Sequence, residues 1–192
     1  MSMRPEGKVG ETTRKGRRSL WSRFVRDRKG STAIEFTMLA IPFSLLVFAI
    51  LESCISFAGQ QMMSNITDDI ARQLRTGHIR RANVNETMLK NLICDRLEVV
   101  VSEGCPGLVV DLREFPSFAA AAAVKVKLTS GKDLDTTGFA VTPGPALSKN
   151  MLRVFYKWPV MTDFMRKSMS NLKDGKTLHF ASVTWQNEPF DN

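Results

Sequence analysis

The sequence is poor in the residues and motifs from which most active sites are built. It has two histidines, His78 and His179, in 192 residues, and its three cysteines include no C-x-x-C pair. The nucleophile elbow G-x-S-x-G, the zinc-binding H-E-x-x-H, the P-loop and the dinucleotide fingerprint are all absent. We therefore expect no catalytic residues, no metal site and no cofactor, and we interpret both histidines as solvated or capping residues.

Most of the chain contains nearly equal numbers of basic and acidic residues, although the formal net charge of the whole chain is +8. The first 29 residues hold ten of the 27 basic and three of the 19 acidic residues, so the other 163 carry 17 basic and 16 acidic ones. A nearly neutral remainder argues against a nucleic-acid partner. Positive charges beside a membrane span stay in the cytoplasm, so the leader predicts a cytoplasmic N-terminus.

Charged residues are also absent from Phe36 to Leu51, and the sequence stays mostly apolar to about Ala58. The 25 residues from Ile34 to Ala58 are enough to cross roughly 30 Å of hydrocarbon as a helix. Pro42 should kink or loosen the helix near its beginning. The sequence thus predicts three parts: a basic cytoplasmic leader (residues 1–30), a transmembrane helix (31–58) and a periplasmic domain (59–192).

Three interpretations of this span are possible, and they differ in whether they explain its length and the residues Gly30 and Glu35 near its start. A secretory signal peptide would find small residues at its usual two positions in Ser56 and Ala58, but its apolar region usually runs to about 7–15 residues and this one is longer. A plain uncleaved anchor leaves Gly30 and Glu35 unexplained. The third interpretation uses both residues, because Gly30 is followed by four residues, then by Glu35 and Phe36.

That arrangement resembles the type IV prepilin signal, which has a basic leader, a glycine, four residues, an acid and an apolar residue. The resemblance implies that a prepilin peptidase cleaves between Gly30 and Ser31. The new amine of Ser31 would then lie one helical turn from Glu35, and the two opposite charges attract strongly at low dielectric. Glu35 would set the register between neighbouring helices; the alternative is an interfacial carboxylate without a role.

The helix more specifically resembles the TadE/TadG-like family of tight-adherence (Flp) pilus assembly proteins. Pro42 follows Glu35 by seven residues and Glu52 follows Pro42 by ten, as do the proline and the second glutamate of that family. The resemblance covers about residues 28–75. It implies that Phe36, Pro42 and Glu52 join Glu35 as positions for helix register and assembly.

The resemblance also implies a function. It indicates a minor pilin or pseudopilin without catalytic activity, held by a single span in the bacterial inner membrane. Its partners would be the prepilin peptidase, other pilin-like subunits and the pilus assembly platform. Two alternatives remain open: an uncleaved, membrane-anchored periplasmic module for binding or sensing, and a tethered envelope enzyme.

The cysteines fit a periplasmic domain. Cys94 and Cys105 lie eleven residues apart beyond the span, and in an oxidising periplasm they can pair. A loop of that length stabilises the fold by roughly 2–3 kcal/mol in the chain-entropy model. The alternative is two free, buried cysteines. We interpret Cys54, inside the span, as a small apolar filler.

Hydrophobic periodicity beyond the span predicts an α+β fold. The long transmembrane helix extends into the periplasm with an apolar stripe that packs on its own domain or on other subunits. A second helix is expected from Asn83, with Glu86 completing a capping box, to Leu97. Four strands of an antiparallel sheet are expected near residues 108–113, 122–129, 152–158 and 178–186, with a short helix from Thr162 to Met169. The stripe comprises Met62, Met63, Ile66, Ile70 and Leu74, and the expected sheet core comprises Phe155, Tyr156, Trp158 and Trp185.

Overall fold

The computed structural model describes residues 30–189, so the predicted cytoplasmic leader lies outside the described residues. In this part of the chain the helices are α1 (Ser31–Arg75), α2 (Glu86–Leu97), α3 (Phe118–Ala122) and α4 (Asp163–Met169), and a 3-10 turn spans Arg81–Asn83. The strands are β1 (Val109–Phe115), β2 (Val141–Thr142), β3 (Lys149–Pro159) and β4 (Lys176–Gln186). A long apolar helix followed by shorter helices and a four-stranded sheet confirms the predicted α+β class.

Of the described residues, 30–46 belong to one compact unit and 47–189 to a second. In the first unit the structure describes the beginning of α1, where the large apolar side chains are exposed rather than packed. Among the described residues, α1 is the one helix that is long and apolar enough to cross a membrane. It lies near the N-terminus, which supports a single-pass anchor. Its exposed apolar residues in this unit are Ile34, Phe36, Met38, Leu39, Ile41, Phe43, Leu45 and Leu46.

The second unit is built around a four-stranded sheet with the order β2-β1-β3-β4. Strand β3 pairs antiparallel with both β1 and β4, over eleven residue pairs in the case of β4. The sheet is therefore mostly antiparallel, as predicted. The two-residue strand β2 is the exception, because it pairs with β1 in the parallel direction.

One face of the sheet carries the main hydrophobic core. Alternate residues of the central strands, such as Leu112, Leu152 and Val154, are fully buried in one cluster with residues from α1 and α2. The apolar stripe of α1 therefore packs on its own domain, which settles the alternative left open by the sequence. The stripe residues in this core are Met63, Ile66, Ile70 and Leu74, with Met62 partly buried against it.

The opposite face of the sheet holds a buried ion pair. Asp111 on β1 and Arg153 on β3 are cross-strand partners, and they are 0% and 2% exposed. Arg153 donates two hydrogen bonds to Asp111, from Nε at 2.9 Å and Nη2 at 2.6 Å. The carboxylate also accepts a hydrogen bond from the Ala140 N–H at 3.0 Å, and the guanidinium lies over the ring of Phe139. The pair thereby holds the segment before β2 against the sheet.

The strand predicted over residues 122–129 is wrong. Ala122 ends helix α3, in which the Ser117 hydroxyl caps the alanine run by accepting a hydrogen bond from the Ala120 N–H. Alanine is the strongest helix former, so a capped run of alanines favours this helix. Residues 124–129 form no strand because β2 already pairs with the free edge of β1. One isolated bridge, between Leu128 and Leu134, is what remains.

Two predicted helix caps also need correction. The N-cap of α2 lies two residues later than expected, because Asn85 takes this position and accepts a hydrogen bond from the Met88 N–H at 2.8 Å. Asn83 belongs to the preceding 3-10 turn, so it forms no capping box with Glu86. Thr162 does occupy the N-cap position of α4, but its side chain makes no capping hydrogen bond there.

Candidate functional site

The predicted cleavage site lies at the first residue of the long helix. Helix α1 begins at Ser31, directly after the exposed Gly30. Glu35 follows four residues later, which is about 6 Å along the axis and on the same face of the helix. Glu35 and Phe36 are both exposed. The structure thus places four of the predicted site residues together at one end of α1.

Pro42 lies inside α1, and the helical segment continues through it. Proline has no N–H to donate to the carbonyl oxygen of Met38, so one hydrogen bond of the helix is missing at this point. Membrane-spanning helices tolerate such a residue better than soluble helices do. Pro42 is eleven residues from Ser31 and ten from Glu52, so the predicted positions are spread along α1 rather than gathered in one pocket.

Beginning at Glu52, α1 presents a continuous buried stripe to the rest of its own unit. We call this stripe the seam. Its members recur at steps of three and four residues, which places them on one face of the helix. The periodicity of apolar residues in the sequence predicts only the second half of the seam, from Met63 onward. Its first three positions, Glu52, Ser56 and Gly59, are not large apolar residues. The seam comprises Glu52, Ser56, Gly59, Met63, Ile66, Ile70 and Leu74.

Glu52 binds the beginning of α4. Its carboxylate is 8% exposed and accepts hydrogen bonds from the Met161 N–H, the Thr162 N–H and the Thr162 hydroxyl. The first N–H groups of a helix lack partners within the helix, and a negative charge is favoured there. Glu52 therefore accepts from the N-cap residue and from the residue before it, and the Thr162 hydroxyl donates to Glu52 instead of capping an N–H group of the first turn. Three donors offset the cost of burying its charge.

A serine and a histidine form the next polar contact of the seam. Ser56 Oγ lies 3.0 Å from His179 Nε2 on β4, and the imidazole stacks on the Trp158 ring with centroids 4.9 Å apart. His179 is 6% exposed, which corrects its interpretation as a solvated or capping residue, whereas His78 is exposed. Burial lowers the pKa of His179 to about 4. Ser56 is equally inaccessible, so this pair is suited to holding α1 rather than to catalysis.

Gly59 lets an aromatic ring lie directly on the helix backbone. A Cβ atom at this position would lie 2.4 Å from Cζ3 and 2.7 Å from Cη2 of Trp158, much closer than two carbons can approach. Trp158 is 4% exposed and belongs to the core cluster, so its ring has little room to move. The glycine is therefore required by the close packing of α1 on β3.

Gln60 completes the contact with β4. Its side-chain amide donates to the Phe180 carbonyl at 2.8 Å and accepts from the Phe180 N–H at 3.2 Å. Strand β4 is at the edge of the sheet, where backbone groups lack a neighbouring strand. The Gln60 side chain thus makes with Phe180 the two backbone hydrogen bonds that a further strand would otherwise make at this residue.

The disulfide predicted from the sequence is present between Cys94 and Cys105, whose Cα atoms are 5.7 Å apart. It links α2 to the loop before β1, and both residues lie in the core cluster. Glu98 supports the same loop by accepting a hydrogen bond from the Gly104 N–H at 2.9 Å. The two sulfurs are bonded to each other, so this cluster of cysteines and a carboxylate has no thiolates for a metal. Cys54 is a free cysteine, exposed on α1.

The close approach at Gly59 makes a substitution test. In an ordinary helix interior, glycine to alanine stabilises by about 1 kcal/mol. Here we expect Gly59→Ala to lower the free energy of unfolding by about 1–3 kcal/mol, because the added methyl group overpacks against Trp158. Thermal unfolding of the full chain in detergent, followed by tryptophan fluorescence, measures the change.

A double substitution provides the control for this clash. Trp158→Leu removes the ring, so Gly59→Ala should cost much less in that background than in the native chain. An increase in stability on Gly59→Ala in the native chain would show that the ring does not lie on the helix there.

The buried histidine gives the protein a pH-dependent stability. The pKa of His179 is about 4 in the folded state and near 6.5 in an unfolded chain, so the unfolded chain takes up the proton first as the pH falls. The contribution is therefore complete above about pH 6.5 and is lost progressively towards pH 4. We expect His179→Gln to flatten the pH dependence of the unfolding temperature in this window. The exposed His78 is a matched control, and His78→Gln should leave that dependence unchanged; equal slopes for both variants would contradict the assignment.

Comparison with known proteins bears on the same helix. Residues 30–72 match the family model described as TadE-like protein, and this segment is α1 almost from end to end. No curated protein and no solved structure matches the chain. The matched segment starts at Gly30 and includes Glu35, Pro42 and Glu52. Over residues 30–72 the chain is therefore similar to the TadE-like proteins.

Proposed function

We propose that this protein is a membrane-anchored, minor pilin-like subunit that assembles a tight-adherence (Flp) pilus after a prepilin peptidase cleaves it behind Gly30. The observation that carries the proposal is the match of residues 30–72 to the TadE-like family, combined with the start of α1 at Ser31. A cut between Gly30 and Ser31 would create a new amine at the first residue of the helix. Its partners are the peptidase, other pilin-like subunits and the assembly platform.

Glu35 has a chemical task in this proposal. After cleavage the ammonium of Ser31 adds a full positive charge to the positive end of the helix dipole. A carboxylate one turn away is attracted to both, and the attraction is strong where little water is present. In a bundle of such helices, Glu35 of one subunit also reaches the ammonium of its neighbour. Exposed Phe36 and the other apolar residues of this end supply the packing surface.

The seam limits how much of α1 lies in lipid. Glu52, Ser56 and Gly59 are buried against their own domain, so the helix is no longer surrounded by lipid from Glu52 onward. We place the membrane-embedded segment at residues 31–51 rather than 31–58. These residues form a helix about 31 Å long, which matches the roughly 30 Å hydrocarbon core of a bilayer. The basic leader then lies in the cytoplasm and the sheet domain in the periplasm.

A second candidate function, an uncleaved periplasmic module that binds a ligand, is favoured by one observation. A cavity of about 320 Å³ lies between the start of α2 and the β1–β2 side of the sheet. Its volume is at the lower end of the range for small-molecule sites. The cavity is lined by Glu86, Lys90, Val109, Val110, Thr136, Phe139, Ala140 and Val141.

N-terminal sequencing distinguishes the two candidates. In cells that contain a prepilin peptidase, we expect the membrane-extracted protein to start at Ser31. Gly30→Leu should leave the leader attached, because a bulky side chain hinders entry of the backbone into the protease groove. Gly7→Leu, within the leader, is the matched control and should be processed normally. An intact leader on the native protein would contradict processing and favour the uncleaved module.

Glu35→Gln separates membrane insertion from assembly. The substitution keeps the shape of the side chain and removes its charge, so we expect normal insertion and a strong loss of surface pili. Glu188→Gln, at an exposed position of the domain, is the control and should leave piliation unchanged. Normal piliation in the Glu35→Gln strain would exclude the charge of Glu35 from assembly.

A further inference from the structure

A second apolar surface lies next to α1 where its uncharged run ends. Met161 and Phe164, before and within α4, are 72% and 68% exposed. Such large apolar side chains are usually buried or covered by a partner. Neighbouring Arg166 and Lys167 are exposed as well. We call residues 161–167 the α4 patch.

Both ends of α4 are attached to α1 at one level. At the beginning of α4, Glu52 accepts hydrogen bonds from Met161 and Thr162, and at its end the Ser53 hydroxyl lies 3.9 Å from the Met169 sulfur. Glu52 and Ser53 are consecutive, so their positions along the axis of α1 differ by about 1.5 Å. Helix α4 therefore lies across α1 at the level of these two residues, instead of running along it.

That level coincides with the end of the membrane-embedded segment placed above at residues 31–51. The uncharged run ends at Leu51, and Glu52 is the next residue. A surface held at Glu52 and Ser53 would therefore meet the boundary between hydrocarbon and lipid headgroups. The exposed apolar side chains of Leu51 and Ile55 on α1 continue the apolar surface on either side of this level.

The composition of the α4 patch fits a lipid surface. Large apolar groups beside basic ones are typical of short segments that lie in the interface, with the apolar groups entering the acyl boundary and the basic groups near phosphates. Residues 161–176 contain four basic residues and two acidic ones. Arg166 pairs with Asp163 at 2.8 Å and Lys176 with Asp174 at 3.4 Å, so the strip keeps a positive excess of two charges.

We propose that the α4 patch is a second membrane contact of this protein. Met161 and Phe164 enter the headgroup–acyl boundary of the bilayer that α1 crosses, and Arg166 and Lys167 bind the phosphates of anionic lipids. Glu52 holds the patch at that depth through its hydrogen bonds to Met161 and Thr162. The contact rests on the membrane placement of α1 and is independent of pilus assembly or cleavage after Gly30.

Depth-dependent quenching tests this contact on the full chain. In a Cys54→Ala background, Phe164→Cys is labelled with an environment-sensitive fluorophore and reconstituted into vesicles of phosphatidylcholine and phosphatidylglycerol. Lipids with a quencher near the headgroup should quench this label several-fold more than a label at Val99→Cys. Val99 is the matched control, because it is an apolar residue that is 79% exposed elsewhere in the domain. Met161→Cys should behave like Phe164→Cys, and it serves as a second position if one variant folds poorly.

Three outcomes overturn the proposal. Equal quenching at positions 164 and 99 means that the patch lies in water. Blue-shifted emission without lipid quenching, which grows with the protein-to-lipid ratio, means that a second copy of this chain covers the patch. The third outcome is that quenching at position 164 is the same with and without phosphatidylglycerol, and that Arg166→Gln with Lys167→Gln does not change it. This result would exclude the contact with anionic phosphates. Weaker quenching in that double variant, seen with phosphatidylglycerol alone, supports it.

Discussion

The structure depends on how one carboxylate is satisfied where the uncharged run of α1 ends and the packed part of the same helix begins. Glu52 is the first charged residue after the uncharged run of α1, and a charge is costly in hydrocarbon. In the structure, three groups at the start of α4 donate hydrogen bonds to its carboxylate, which stabilise the charge inside the domain. Glu52 therefore marks the residue from which α1 packs as the core helix of a folded domain.

The seam beyond Glu52 changes in character along its length. Polar contacts come first, through Ser56 with His179 and Gln60 with the free edge of β4, and Gly59 between them allows Trp158 to approach the backbone. Apolar residues from Met63 onward then enter the main core. Hydrogen bonds fix the register of the helix on the sheet, and apolar burial supplies most of the stabilisation. One helix thereby has an exposed apolar part before Glu52 and a packed part that supports the sheet.

The sequence predicted the parts of this fold that local pattern encodes. Apolar length identified the anchor, periodicity identified the stripe from Met63, and the two outer cysteines predicted their disulfide. It could not predict that His179 is buried, because its partner Ser56 lies 123 residues earlier in the chain. The donors for Glu52 lie 109 and 110 residues away, so nothing near it indicates which groups satisfy its charge. The prediction of a strand at 122–129 was wrong for the same reason, because the pairing of β2 with β1 involves residues that are distant in the sequence.

The contact between Glu52 and the start of α4 is the central claim, and an engineered disulfide tests it most directly. With Cys54→Ala, Glu52→Cys and Thr162→Cys, the protein in native membranes is oxidised mildly and mapped by non-reducing mass spectrometry. We expect a bond between positions 52 and 162 within one chain, whereas Glu52→Cys with Ser130→Cys should form none. Bonds between chains alone, or no bond between positions 52 and 162, would contradict the seating of α1 on its own domain.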